Sequence, residues 1–263
     1  MTQKDERKKQ HKKNKFLNYI KNKTMKTYFI KESYTHRQVN TTLDQNRDDK
    51  NYWDKKRIDA SYLYQYSVYE FARGLIFEKK IKSILDVGCW PATKLMELLY
   101  PICNNVVGID QPQVIRYCND KFKDTKAQFV ADNFEEPSYH PENPFELIIC
   151  SDVIEHIEDP DILLNYIKTF ANKDTYIIIS TPERDILRWA DNTMSPKEEH
   201  IREWNREEFK NYLESHNFEI LLQKNTPFMK INVKYPFALE YAKKTALGKL
   251  NHNQLVLCKF KWQ

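Results

Sequence analysis

Unbroken apolar runs alternate with amphipathic ones through the middle of the chain. SILDVG (83–88), VVGID (106–110), AQFVAD (127–132), FELIICSD (145–152) and TYIIIST (175–181) read as strands. In the last two, apolar residues occupy consecutive rather than alternate positions, the pattern of a strand covered on both faces. Between the strands, residues 91–100, 114–122 and 161–171 carry apolar side chains at helical spacing. Leu95, Leu98 and Leu99 share one side of the first helix, and Pro160 stands at the first turn of the last. Upstream, Tyr62, Tyr66, Tyr69, Phe71 and Leu75 predict a helix within 52–77. Downstream, REEFKNYLESHNF (206–218) predicts a helix packed through Phe209, Leu213 and Phe218, and 218–225 and 254–262 read as two final strands. Strand and helix in alternation predict an α/β fold: a doubly wound, mostly parallel seven-stranded sheet with an N-terminal helical extension.

A chain of 263 residues suits one sizeable domain with appendages. No apolar run approaches the ~18 residues of a membrane-spanning helix, and no apolar core of a secretory signal follows the charged N-terminus. The five cysteines (89, 103, 118, 150 and 258) form no CxxC pair, and three fall in apolar runs. Reduced core thiols in a cytoplasmic protein are therefore expected. The charge changes the picture more. Ten Lys and Arg against Asp5 and Glu6 put residues 1–26 at +8, so the remainder carries −3 of the net +5. Residues 1–50 are expected to be a basic, flexible leader and 51–263 the folded domain, with a helical lid at 51–80 and a long polar insertion at 183–205. A basic arm suits polyanions, but the acidic body makes nucleic acid an unexpected partner.

In doubly wound sheets ligands bind outside the carboxyl ends of the strands, where the strand order reverses. The residues at those ends are Asp86 and Gly88, then Asp110, then Asp132-Asn133-Phe134, then Ser151-Asp152. Any one of these carboxylates alone would serve as a helix N-cap. Four together would repel a pyrophosphate and suit a cationic, ribose-bearing ligand. ILDVGCWPATKL (84–95) has Trp90 and Ala92 where a nucleotide-binding turn wants glycine. Trp90 is expected to keep an ordinary backbone and lay its indole beside the ligand; the rival is a turn that has lost its ligand.

Taken in order, ILDVGCWPATKL, VVGID, FVADNFEE, FELIICSDVIEHIEDP, YIIISTPER, HIREWNREEFKNYLESHNFEI and NQLVLC resemble the motif series of the class I S-adenosylmethionine-dependent methyltransferases, over roughly residues 60–260. The resemblance implies their Rossmann-like fold and S-adenosylmethionine as cofactor. It implies that Asp86, Gly88 and Trp90 approach the methionine and ribose of that cofactor, and that Asp110, with Gln111 beside it, takes the ribose hydroxyls. Asp132 would accept from the adenine amino group, Asn133 or Phe134 would line the ring, and Ser151 would complete the wall.

DVIEHIEDP (152–160) and HIREW (200–204) carry the remaining chemistry. Asp152, Glu155 and His156 lie three and four apart, so a helical turn would set them on one side. The pair of segments resembles the ubiquinone-pathway O-methyltransferases and the enzymes that methylate the 3′-terminal ribose of small RNAs. The resemblance implies a divalent cation on Asp152, Glu155, His156 and His200, with Mn²⁺, Fe²⁺ or Zn²⁺ suiting the donor set better than Mg²⁺. Without a metal, His156 or His200 would be the general base, aided by Glu155; alternatively Glu155 and His156 only shape the loop. Arg202 is read either as facing an anionic substrate group or as an ion pair with Glu203 or Glu207. The pattern also resembles bacterial methyltransferases of surface-polysaccharide synthesis, which implies a small sugar- or phosphate-containing acceptor. An RNA ribose 2′-O-methyltransferase is the second reading, and a non-catalytic methyltransferase-fold module the third.

Overall fold

The computed structural model describes residues 26–37, 55–230 and 251–262; the basic leader through residue 25 lies outside the described residues. Seven strands form one sheet: β1 (Ile84–Val87), β2 (Val106–Asp110), β3 (Gln128–Ala131), β4 (Leu147–Ser151), β5 (Tyr176–Pro182), β6 (Phe218–Thr226) and β7 (Asn253–Phe260). Their order in space is β3-β2-β1-β4-β5-β7-β6. The first five are parallel, and β7 runs antiparallel to both β5 and β6. β1, β2 and β4 are buried at every position, which is why their sequences show no polar alternation. The order reverses between β1 and β4, so a crevice opens at their carboxyl ends.

Helices cover both faces: α1 (Lys55–Ala60), α2 (Tyr66–Lys79), a short π-helical α3 (Leu95–Leu99), α4 (Pro112–Lys121), α5 (Pro160–Thr169), α6 (Arg184–Arg188) and α7 (Arg206–Ser215). Because side chains alternate along a strand, Leu85 and Val87 point to one face with Leu163, Leu164, Phe209 and Leu213. Ile84 points to the other, with Val68, Leu75, Leu95 and Val114. Asp159 caps α5 through the backbone N–H of Asp161, with Pro160 at its first turn. Asn205 and Glu208 form a reciprocal capping box at α7, which explains the asparagine directly after Trp204. Among the described residues no helix is long and apolar enough to cross a membrane. All five cysteines are buried and free, as their apolar surroundings predict.

One expectation about organisation needs correction. The segment 26–37, expected within a flexible leader, is docked on the domain: Tyr28, Ile30 and Tyr34 are buried. Lys26 pairs with Asp161 at 2.7 Å, Trp204 Nε1 donates to the Tyr28 carbonyl at 2.9 Å, and Arg37 N donates to Ile201 O at 3.0 Å. The 183–205 insertion is polar in sequence, and two of its arginines are paired inside: Arg184 grips Glu208 with two nitrogens, at 2.6 and 3.0 Å, and Arg188 grips Glu203. Burial of paired charges is invisible to a hydropathy reading. The two segments meet at the Tyr34 hydroxyl, which accepts from the backbone N–H groups of Ser195 and Glu203, each at 3.1 Å.

Tyr34→Phe leaves those two buried donors unpaired and should cost about 2–4 kcal/mol of unfolding free energy in urea. A loss below about 0.5 kcal/mol, the level of an ordinary surface substitution, would contradict the strap's role.

Candidate functional site

The turn after β1 keeps its shape without its glycines. Gly88, Trp90 and Ala92 have φ of +79°, +50° and +54°. The expectation that Trp90 retains an ordinary backbone is therefore wrong: the turn needs left-handed residues at all three places. Gly88 cannot be replaced cheaply, because a Cβ there would lie 2.3 Å from Val153 Cγ2. Trp90 and Ala92 are held in a region that costs a side chain about 1–2 kcal/mol each. What holds Trp90 is its partners. Its N–H donates to Asp110 Oδ2 at 2.8 Å, and its carbonyl accepts from the thiols of Cys89 and Cys118 at 3.5 Å. Gln111 N donates to the other oxygen of Asp110 at 2.7 Å. Burial raises Asp110 to about 6, opposed by those two N–H donors, so it is a carboxylate at neutral pH.

Two cavities flank this turn. One, of about 570 Å³, is lined by Asp110, Gln111, Asn133 and Phe134. The other, of about 430 Å³, is lined by Trp90, Lys94, Ser151, Glu155 and His200, under a roof of Tyr64, Gln65 and Phe228. Gly88, Asp152 and His156 line both, so the cavities meet at the carboxyl ends of β1 and β4. The first, called here the nucleoside cavity, has a carboxylate at the end of β2, the place where ribose hydroxyls bind in such folds.

Two of the four strand-end carboxylates are not placed as the sequence suggested. Asp86 is sealed beneath the turn and lines neither cavity; both its oxygens bond the Tyr69 hydroxyl, at 2.9 and 3.1 Å. Burial raises it to about 7, against the pull of Tyr69 and Lys94. Asp132 borders the nucleoside cavity, but its oxygens accept from Tyr166, Ser138, Tyr139 and Asn133. Burial pushes its pKa up, and these donors outweigh burial and hold it below the usual carboxylate range. It organises the loop after β3, and its lone pairs are too engaged to be the main acceptor for an adenine amino group.

At the junction of the cavities, Glu155, His156 and His200 bring one ligand atom each within 4.8 Å of one another. A 3₁₀ turn over Ile154–His156 sets the first two, and the insertion brings the third. The His156 ring lies 4.8 Å from that of His200, edge to face. His156 Nδ1 is 2.7 Å from the Glu199 carbonyl, which can only accept, so the proton sits on Nδ1 and Nε2 faces Glu155 Oε1 at 3.9 Å. His200 Nδ1 is held by Glu203 at 2.6 Å in the same way. Glu155 Oε2 accepts from Thr181 at 3.0 Å. Burial, then the neighbouring His200, lowers His156 to about 3, so it is neutral at pH 7. Burial, then Asp152, raises Glu155 well above the usual range. A neutral His156, a second imidazole engaged through Nδ1 and the Glu155 carboxylate are donor types that could hold a divalent cation.

Asp152 stands outside this cluster, contrary to the expected four-ligand set. Its φ is +53°, and its carboxylate accepts from Ser180, Gln65 and Asn253. A 3₁₀ turn that starts two residues later does not carry it round to the Glu155 side. Arg202 takes neither of its two expected roles. It is buried, lies 4.4 Å from the Tyr28 ring, and donates to the carbonyls of Ile157 and Glu158 at 2.6 and 2.7 Å. From sequence, Lys94 has no role, Tyr69 stands only on a packed helix and Glu203 is only a partner for Arg202; the structure puts all three at or beside the site. Lys94 was the most legible: a lysine just past the turn, heading an apolar run, is either buried or misplaced.

Burial works against the Glu203 carboxylate, yet His200 and Arg188 hold its pKa down from 4.5 to about 2. A depressed carboxylate gives stability that is complete above pH 4.5 and is lost as pH falls towards 2. The unfolding free-energy gap between wild type and Glu203→Gln should be about 3 kcal/mol at pH 7 and shrink through that window. A gap independent of pH, in urea titrations at pH 7 and pH 3, would contradict the ion pairing.

A family model described as a methyltransferase domain matches residues 52–223. The small RNA 2′-O-methyltransferase of Mus musculus is 26% identical over 164 residues, covering 55% of this chain and 40% of its own length. The ubiquinone biosynthesis O-methyltransferase of Yersinia enterocolitica is 25% identical over 119 residues, covering 44% and 48%. The chain thus spans less than half the length of either relative. In structure, an S-adenosylmethionine-dependent methyltransferase from Clostridium acetobutylicum matches with a TM-score of 0.56 at 14% identity, over 81% of this chain and 97% of that one. The small RNA methyltransferase HEN1 matches with a TM-score of 0.55 at 17% identity, over 76% and 26%. These two likenesses concern the fold. The expectation that nucleic acid is no partner draws no support from relatives named for small RNA. With the family model spanning more than half of its residues, and the sheet and crevice arranged as described, the chain belongs to the methyltransferase-domain family and has the fold of the class I S-adenosylmethionine-dependent methyltransferases.

Proposed function

We propose that the chain moves a methyl group from S-adenosylmethionine to a hydroxyl oxygen of a sugar-like acceptor, with a divalent cation held by Glu155, His156 and His200. The observation that carries this reading is the meeting of the nucleoside cavity with the Glu–His–His cluster at Gly88 and His156. The transfer is an in-line displacement: the methyl carbon–sulfur bond breaks, a carbon–oxygen bond forms, and the hydroxyl proton leaves. When bound, the cation lowers the pKa of a coordinated hydroxyl and orients its oxygen. The chain's own part is to keep both Nδ1 protons engaged by Glu199 and Glu203, so that both imidazoles act through Nε2. Tyr64, Gln65 and Phe228 line the same cavity as the Glu–His–His cluster.

A nucleotide-linked sugar or surface-polysaccharide precursor is the leading acceptor class. The terminal ribose of RNA is the second; it presents the same kind of hydroxyl, and the name of the mouse relative favours it. A salt-sensitive, saturable methylation of RNA, absent with free sugars and nucleotide sugars, selects the second.

His200→Ala should weaken Mn²⁺ or Zn²⁺ binding at least about 100-fold, and methyl transfer with it, while S-adenosylhomocysteine binding changes less than about twofold. Calorimetry with each ligand checks both. Methyl transfer that survives thorough chelation would contradict the metal and leave His156 as the base.

A further inference from the structure

Lys94 is a buried ammonium that the metal-assisted transfer does not use. It is 6% exposed and lines the acceptor-side cavity together with Gly88, Cys89 and Trp90. Its Nζ donates to the Ser61 carbonyl at 2.7 Å and lies 5.0 Å from the centre of the Tyr69 ring. Among the described residues no carboxylate oxygen lies within 4.0 Å of it. Two carboxylates, Asp86 and Asp152, are near enough for their charge to act on it. Neither reaches it directly: Asp86 is bonded through both oxygens to Tyr69, and Asp152 to Ser180, Gln65 and Asn253. An ammonium has three donors, and one is engaged here. A buried cation in this state, on the wall of a cavity, is a site for an anion.

We infer that Lys94 binds the α-carboxylate of the methionine part of S-adenosylmethionine and sets the enzyme's preference for a cofactor that carries it. The inference rests on the cofactor reading of the crevice. The turn is what selects that anion over one on the acceptor. Lys94 stands on the turn side of the cavity, beyond Gly88 and Trp90, whereas the acceptor-side cation, Lys197, belongs to the insertion that carries His200. The methionine tail must leave the nucleoside cavity past Gly88, which both cavities share. A glycine-rich nucleotide-binding turn leaves its backbone open to the ligand. This turn offers a tryptophan and a proline, which has no N–H to give, and Lys94 supplies the missing donor. Burial lowers Lys94 to about 8, against the pull of Asp86, so it is charged at neutral pH and ready for an anion.

The test is calorimetric binding of S-adenosylhomocysteine and of its decarboxylated counterpart, to wild type, Lys94→Met and Lys94→Gln. Wild type should prefer the carboxylated ligand. Both variants should lose about 10- to 100-fold in affinity for it, the worth of one enclosed charge-assisted bond. Their affinity for the decarboxylated ligand should be unchanged or better, since its ammonium no longer meets a like charge; this also shows that the variants keep their fold. Equal losses for both ligands, or no preference in the wild type, would overturn the assignment. Wild type that binds neither ligand would remove the cofactor reading itself, and the assignment with it.

Discussion

The clamp between Arg202 and the loop after β4 decides whether this molecule has one site or two unrelated halves. The guanidinium donates to the carbonyls of Ile157 and Glu158, and Ile201 N donates to Glu155 O at 2.9 Å. Three bonds therefore fix the insertion, and His200 with it, against the turn that bears Glu155 and His156. A further bond, between His156 Nδ1 and the Glu199 carbonyl, ties the insertion to the same turn one residue before His200. The clamp is itself enclosed by the strap of residues 26–37: Tyr28 lies under the guanidinium, and His36 Nδ1 accepts from Arg202 Nε at 3.2 Å. A buried arginine stripped of these acceptors would be strongly destabilising, so the docked strap, the clamp and the Glu–His–His cluster form one cooperative unit.

The turn after β1 works by a different balance. It has left-handed backbone at three positions, and only one of them, Gly88, is glycine. Steric necessity explains that residue, given the closeness of Val153. At Trp90 the strain is offset by Asp110, whose carboxylate receives the Trp90 N–H. The same residue lines the cavity proposed for the cofactor, so one carboxylate stabilises an awkward turn and borders that cavity. This coupling makes the glycine-poor turn compatible with cofactor binding rather than a sign of its loss.

Much of this was legible in the sequence because it depends on periodicity. Consecutive apolar residues in IIIS and LIIC marked the strands buried on both faces, and the order of motifs marked the crevice. The pairing of EH after β4 with the later His200 came from the resemblance to known methyltransferases, since no spacing joins two segments so far apart in sequence. What stayed hidden depends on which atoms meet. The exclusion of Asp152 follows from a single left-handed residue. The sealing of Asp86 depends on a tyrosine seventeen positions upstream. The role of Arg202 as a pin, rather than as a substrate contact, depends on two carbonyls that no side-chain pattern records. Lys26 and Tyr34 read as leader because a strap buries isolated residues among polar ones, without a period to recognise.

The most direct test asks whether cofactor and cation occupy one continuous site. S-adenosylmethionine labelled with ¹³C in its methyl group would be bound to the protein, and its methyl resonance followed as Mn²⁺ is added. The account predicts strong paramagnetic broadening of that resonance, abolished in His200→Ala although the cofactor remains bound. A methyl signal that stays sharp with both Mn²⁺ and cofactor bound would place the metal elsewhere and contradict the account.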